Sequence, residues 1–320
     1  MARFVTRRVT GMIAVLFAIS VIVFLIFNVV PNSNPAIRIA GKNANPELIA
    51  RVSADLGLDQ PLPIQYLTLM KKIFTGQLTS YASSQNVTEQ IWRGLPATLS
   101  LTIGAAVLWM VLAVVFGYLS AIHSGKFTDR ALTILSLVGI SMPVFWLAAI
   151  LLYFFTFKIE LFPTSSYIPL TKDPLKWASH LILPWFTLAI LYVGFYSRVL
   201  RSNMLDVMNE DYVRTARAKG ITERQVRIRH VLRNSMIPIV TLFGLDFGAV
   251  VGGGAILTET VFNINGVGLY AGRAIGSLDL PPLMGVTMFG AFFIVFFNTV
   301  VDILYAFLDP RIRLGEAAAT

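Results

Sequence analysis

Cysteine is absent from the 320 residues, which excludes disulfides, thiolate nucleophiles, iron–sulfur clusters and cysteine-based zinc sites. Histidine is scarce: His123, His180 and His230 lie far apart, without HExxH or paired spacing, and read as loop or interface residues, so no metal site is expected. Charged residues make up only 13% of the chain, against about 25% in soluble domains. Apolar residues make up 56%, and the mean hydropathy is +0.70. A water-soluble fold of this length could not hide so much apolar surface, so lipid is the expected solvent for most of the chain. A phosphate loop of the form GxxxxGK[ST] is missing as well. The nearest glycine cluster, Gly266-Val267-Gly268-Leu269-Tyr270-Ala271-Gly272-Arg273, lacks the lysine. No nucleophile–base pair marks a catalytic residue, and the chain is not expected to hydrolyse ATP.

What is present is a series of apolar runs. Six are long enough to cross a hydrocarbon core of about 30 Å: Val9 to Val30, Leu99 to Ile122, Leu132 to Phe157, Leu181 to Leu200, Met236 to Phe262 and Leu283 to Leu308. The first exceeds the usual apolar stretch of a signal peptide and has no A-x-A cleavage site after it, so it reads as a retained anchor. Pro143 and Pro184 are expected to kink their spans without stopping them. The run Gly252-Gly253-Gly254 allows either close helix packing or a close approach by a passing solute.

The net charge of +9 would suggest nucleic-acid binding in a soluble protein, but in a membrane protein it reports topology first. With the N-terminus inside, 16 of the 26 Lys+Arg fall on the cytoplasmic side and 10 outside. Both termini are therefore expected to be cytoplasmic, and no nucleic-acid partner is expected. The domain reading is an N-terminus and first span over 1–30, a small external subdomain over 31–98, a five-span core over 99–308 and a tail over 309–320. Within the subdomain, apolar periodicity predicts helices around Pro46 to Leu56 and Ile64 to Phe74, a turn at Asp59 to Pro63, and irregular structure from Thr75 to Gln90.

The most informative segment is the cytoplasmic loop 201–235. Nine basic residues, counting Arg198, accompany Asp206, Glu210, Asp211 and Glu223. Capping groups at Asn209-Glu210-Asp211 and a stop at Gly220 predict a short helix over Tyr212 to Lys219. A second short helix is expected from Thr222 toward Leu232. Basic amphipathic helices of this kind rest on anionic lipid or dock to a soluble partner. Thr215, Ala216, Ala218 and Gly220 make a slim end suited to a protein cleft.

The run Asp211-Tyr212-Val213-Arg214-Thr215-Ala216-Arg217-Ala218-Lys219-Gly220 resembles the coupling loop, Glu-Ala-Ala-x-x-x-Gly, of the permeases of bacterial ABC importers, in the form used by the dipeptide, oligopeptide and nickel family. Leu56-Gly57-Leu58-Asp59-Gln60-Pro61, Ser141-Met142-Pro143-Val144-Phe145, His180-Leu181-Ile182-Leu183-Pro184, Arg233-Asn234-Ser235-Met236-Ile237-Pro238, Glu259-Thr260-Val261-Phe262 and Asp309-Pro310-Arg311-Ile312-Arg313 extend the resemblance, in that order, along most of the chain. Arg214 and Thr215 stand where the generic motif has Glu and Ala.

The resemblance implies an all-α integral membrane protein with the six-helix type I importer permease fold, in the bacterial inner membrane. It implies a heterodimer with a second homologous permease, two ATPase subunits carrying ATP and Mg2+, and an external solute-binding protein. It assigns ATPase coupling to Asp211, Tyr212, Arg214, Thr215, Ala216, Arg217, Ala218, Lys219 and Gly220. Peptides are the expected cargo, with nickel chelates and saccharides as alternatives. No cofactor is expected on this chain.

Three acids in or near spans are expected to have a role or a partner, because a charge in lipid is costly: Asp246, Glu259 and Asp302. Asp246, nearest mid-span, either lines the pathway or makes a helix contact at a subunit interface. Glu259 and Asp302 are expected near span ends, where water or a capping partner is available. An ion-coupled transporter or channel is the competing class; it would favour similar sequence halves, and none are visible.

Overall fold

The computed structural model of the chain describes residues 2–29, 36, 46–55, 57–163, 166–277 and 279–308. The tail motif beginning at Asp309, Leu56 of the external motif and the side chain of Asp302 lie outside the described residues. The described residues form helices: α1 (Ala2–Val29), α2 (Pro46–Asp55), α3 (Leu62–Phe74), α4 (Val87–Ile122), α5 (Phe127–Ser141), α6 (Val144–Lys158), α7 (Pro174–Val207), α8 (Asp211–Ala218), α9 (Glu223–Gly254), α10 (Ile256–Val261), α11 (Val267–Ser277) and α12 (Leu280–Leu308). Among them α1, α4, α7, α9 and α12 are each long and apolar enough to cross a membrane. The α5–α6 pair, bent by 101°, supplies the sixth crossing if it counts as one. The chain is a multi-pass, all-α membrane protein. Its surface fits that solvent: Phe17, Ile103, Val107, Phe127 and Leu175 are exposed.

The bend corrects one expectation. Met142, which precedes Pro143, is extended at φ −81°, ψ 125°, and the next helix starts at Val144. The proline ring excludes helical backbone at the residue before it and removes an N–H, so Pro143 stops one helix and opens another. Pro184, by contrast, lies inside the unbroken α7, as expected.

A second correction concerns Thr75 to Gln90. Helix α4 already starts at Val87, twelve residues before the apolar run, because the Asn86 carboxamide accepts a hydrogen bond from the Glu89 N–H at 2.9 Å and caps it. Asn86 and Glu89 are three apart in the sequence, a capping spacing that was available to be read.

The chain divides into two compact units. One comprises Met1–Thr98, Gly248–Ile256 and Asn265–Ile303. In it Tyr66 of α3 meets α1 through the Phe24 ring at 5.5 Å and the Ser20 hydroxyl at 2.7 Å. Leu78, Val87, Ile91, Val267, Ala271 and Val286 form a buried apolar cluster. Asp279, buried just before α12, accepts hydrogen bonds from Ser80 Oγ at 2.5 Å and from the N–H groups of Tyr81 at 3.0 Å and Ala82 at 3.3 Å, which ties down the 79–86 loop. Burial, with the Asp279 carboxylate nearby, pushes the Tyr81 phenol up to about 12.

The other unit comprises Leu99–Phe247, Leu257–Ile264 and Leu304–Thr320, with α7 as its most buried helix. Small residues let α5 lie close against α7. A Cβ on Gly194 would come within 2.5 Å of the Ser136 carbonyl oxygen, and the hydroxyls of Ser136 and Ser197 meet at 3.0 Å. At the Arg201 end of this pair, the Arg201 guanidinium grips the buried Asp129 carboxylate twice, each contact 2.7 Å, while Ser120 Oγ and the Gly125 N–H also donate to it.

Candidate coupling helix between the fourth and fifth spans

Helix α8 covers Asp211–Ala218, within a residue of the expected limits at each end. Glu210 is the N-cap in extended conformation, and Asp211 places a carboxylate in the first turn, where the helix dipole favours it. Lys219 follows as C-cap, and Gly220 takes φ +76°, a left-handed turn suited to a residue without Cβ. The Gly220 N–H bonds the Arg217 carbonyl at 2.9 Å and the Ile221 N–H bonds that of Ala216 at 3.4 Å, closing the turn. A Cβ at Gly220 would meet nothing within 4 Å, so backbone conformation alone selects glycine there.

The helix has two unlike faces. Val213 and Ala216, three residues apart, are buried in a cluster with Leu200 and Met204 of α7, Val226 and Val231 of α9 and Ala121 of α4. Asp211, Tyr212, Arg214, Thr215, Arg217, Ala218, Lys219 and Gly220 are exposed. Ala216 therefore lies against the permease itself, and the outward small residues are Thr215, Ala218 and Gly220. The sequence did not separate these faces because eight residues give only two turns, and every position but Tyr212 and Val213 is polar or small.

The second short helix expected from Thr222 is not separate. Thr222 sits in the capping position, but its hydroxyl makes no capping bond, and the helix that starts at Glu223 runs on to Gly254 as α9. The backbone widens to a π-helix over Val226–Leu232 within it. The sequence suggested a break because the polar stretch ends near Leu232, yet polarity changes there without any helix stop.

Side chains lock α8 to α9. Arg217 donates from Nε and an Nη to the two Glu223 carboxylate oxygens, each at 3.2 Å, and Arg227 reaches the same carboxylate at 3.2 Å. Tyr212 Oη accepts from Asn234 Nδ2 at 2.8 Å. Arg214 pairs with Asp211 at 3.4 Å on the exposed side, while Lys219 makes none of these contacts. The result is a short rod welded to the start of a spanning helix.

The remaining candidates fall elsewhere. The half-buried Asp246 accepts a 2.6 Å hydrogen bond on Oδ2 from the buried Tyr196 of α7. Gly252 faces Gly290 of α12: a Cβ on Gly252 would lie 2.7 Å from the Gly290 carbonyl oxygen, and one on Gly290 would overlap the Gly252 carbonyl. Gly253 breaks the helix at φ 152°, ψ −13°, and Gly254 is exposed. Glu259 is fully buried in α10, so of the two expectations for it, water or a partner, burial removes the first. His123 and His180 contact carbonyls of their own helical turns, and no group of metal ligands occurs among the described residues. The Asp129–Arg201 pair was missed, since nothing in the sequence marks two residues 72 apart as partners.

Residues 113–314 match the family described as the binding-protein-dependent transport system inner membrane component, and residues 1–102 match the N-terminal family of the same components. A probable peptide ABC transporter permease protein of Sinorhizobium fredii is 36% identical over 98% of this chain and 100% of its own length. A dipeptide transport system permease protein of Alkalihalophilus pseudofirmus is 35% identical over 98% of this chain and 100% of its own. A glutathione transport system permease protein of Salmonella choleraesuis is 37% identical over 98% and 99%. With both matches spread over nearly its whole length and helices that fit them, the chain belongs to the binding-protein-dependent inner membrane components, the permease subunits of ABC importers.

Proposed function

We propose that this permease forms half of an import pathway for di- or oligopeptides, paired with a second homologous permease, and that α8 is its coupling element. Two ATPase subunits bind ATP and Mg2+ and hydrolyse the nucleotide, and an external solute-binding protein delivers the cargo. The protein lies in the inner membrane with both termini, and the α8 loop, on the cytoplasmic side. Peptide cargo rests on the names of similar proteins, a peptide permease and a dipeptide permease among them.

The observation that carries the reading is the division of α8 into a buried Val213–Ala216 face and an exposed face joined rigidly to α9. An ATPase gripping the exposed side pulls on the start of a 32-residue spanning helix across one short turn, which the Arg217–Glu223 pair bridges. Reconstitution in liposomes with the ATPases, partner permease and receptor tests this. Uptake of labelled dialanine should require ATP, and uptake driven by a proton or sodium gradient alone would overturn it.

A further inference from the structure

Asp246 lies in α9, thirteen residues beyond Arg233, the last basic residue of that helix. Its carboxylate accepts one hydrogen bond, from Tyr196, and no Lys, Arg or His among the described residues pairs with it. A carboxylate has room for about four such bonds, so most of its acceptor sites are left without a partner among the described residues. A contact made only to join helices would be served by Asn or Ser without a charge.

The surroundings are aromatic. Trp109 of α4 stacks on Tyr192 of α7 at 4.5 Å and approaches Phe243 of α9 at 5.6 Å, and Phe243 in turn stacks on Phe247 at 5.7 Å. Trp109 is fully buried, whereas Tyr192, Phe243 and Phe247 are half-buried, as Asp246 is. The Tyr196 ring, whose hydroxyl holds Asp246, lies 6.4 Å from both Trp109 and Tyr192, so the acid sits at the edge of this aromatic group, and a carboxylate among aromatic rings is a combination that recognises a cation. Tyr196 holds one carboxylate oxygen, and among the described residues no hydrogen bond engages the other.

We propose that Asp246, oriented by Tyr196 at the edge of the aromatic group that Trp109 and Tyr192 form with it, is a transient subsite for the protonated terminal amine of the cargo. The proposal rests on the peptide reading above and supplies its chemistry: an unblocked peptide carries such an amine. A subsite with one charge pair and ring faces binds weakly enough to release what it holds.

The test uses the purified complex of permeases and ATPases in lipid nanodiscs without the external receptor, so that receptor selectivity does not intervene. Dialanine and N-acetyl-dialanine are titrated against tryptophan fluorescence, with Trp109→Phe assigning the signal. The wild-type complex should bind dialanine at least about tenfold more tightly than the acetylated form. Asp246→Asn should abolish that difference, and Asp246→Glu should restore part of it. Equal binding of the two peptides by the wild type, no binding of dialanine, or an undiminished preference in Asp246→Asn would overturn the subsite. The comparison of two peptides on the wild type holds even if the variant fails to assemble. Absence of receptor-dependent uptake by the wild type of both dialanine and longer alanine peptides strikes the peptide reading instead, whereas normal uptake with no amine preference strikes only the subsite.

Discussion

Arg217 and Glu223 face each other across the left-handed turn at Gly220, the guanidinium reaching both carboxylate oxygens at 3.2 Å. The pair bridges the end of α8 and the first residue of α9. Both side chains are more than one-third exposed, so its contribution to stability is small, about 0–1 kcal/mol. Its value lies in orientation. Glu223→Gln should leave the melting temperature of the complex nearly unchanged while lowering peptide imported per ATP hydrolysed, measured together in proteoliposomes. A large drop in melting temperature with coupling intact would contradict this.

Gly220→Val forces a β-branched residue into a left-handed backbone, at a cost of about 1–2 kcal/mol even with empty space around it. ATP hydrolysis should persist while uptake falls. Gly220→Asn should be tolerated best, because Asn adopts that conformation most readily among residues with a Cβ. The ratio of uptake to hydrolysis for Val, Ala and Asn at this position decides the matter, and equal ratios would remove the conformational explanation.

The two faces of α8 make opposite cross-linking predictions. A cysteine at the exposed Ala218 should be captured by a bifunctional reagent on an ATPase subunit, whereas one at the buried Ala216 should react only after detergent unfolding. Capture at Ala216 in the native complex would mean that the helix docks the other way round.

Val213→Asp places a charge in the cluster that holds α8 against α7 and α9. The lost burial is worth about 1.5–3 kcal/mol before desolvation is added. The loop should become sensitive to protease at the arginines of α8 while the spans still insert, as read by limited proteolysis of membrane vesicles. An unchanged digestion pattern would show that α8 is held by its salt bridges alone.

Gly290→Val should reduce the amount of folded protein severely, because its side chain has no room beside the Gly252 carbonyl. Gly276→Ala, at a position with nothing within 4 Å, is the control and should accumulate normally. Detergent-extracted monodisperse protein, measured by size exclusion, compares the two. Equal yields would mean that the α9–α12 approach tolerates a side chain.

The sequence by itself determined the solvent, the approximate spans and the short helix in the loop. Hydrophobic run length and the capping pattern from Glu210 to Gly220 are local signals, and local physics reads them out. Tertiary structure alone decided which side of that helix is free, because Val213 and Ala216 are turned inward by Leu200, Met204, Val226 and Val231, contributed by two other helices. It likewise decided that Glu259 is buried, that Gly252 is matched to Gly290, and that Asp129 and Arg201 are partners. Those relationships depend on distances between residues far apart in the chain, which neither periodicity nor composition encodes.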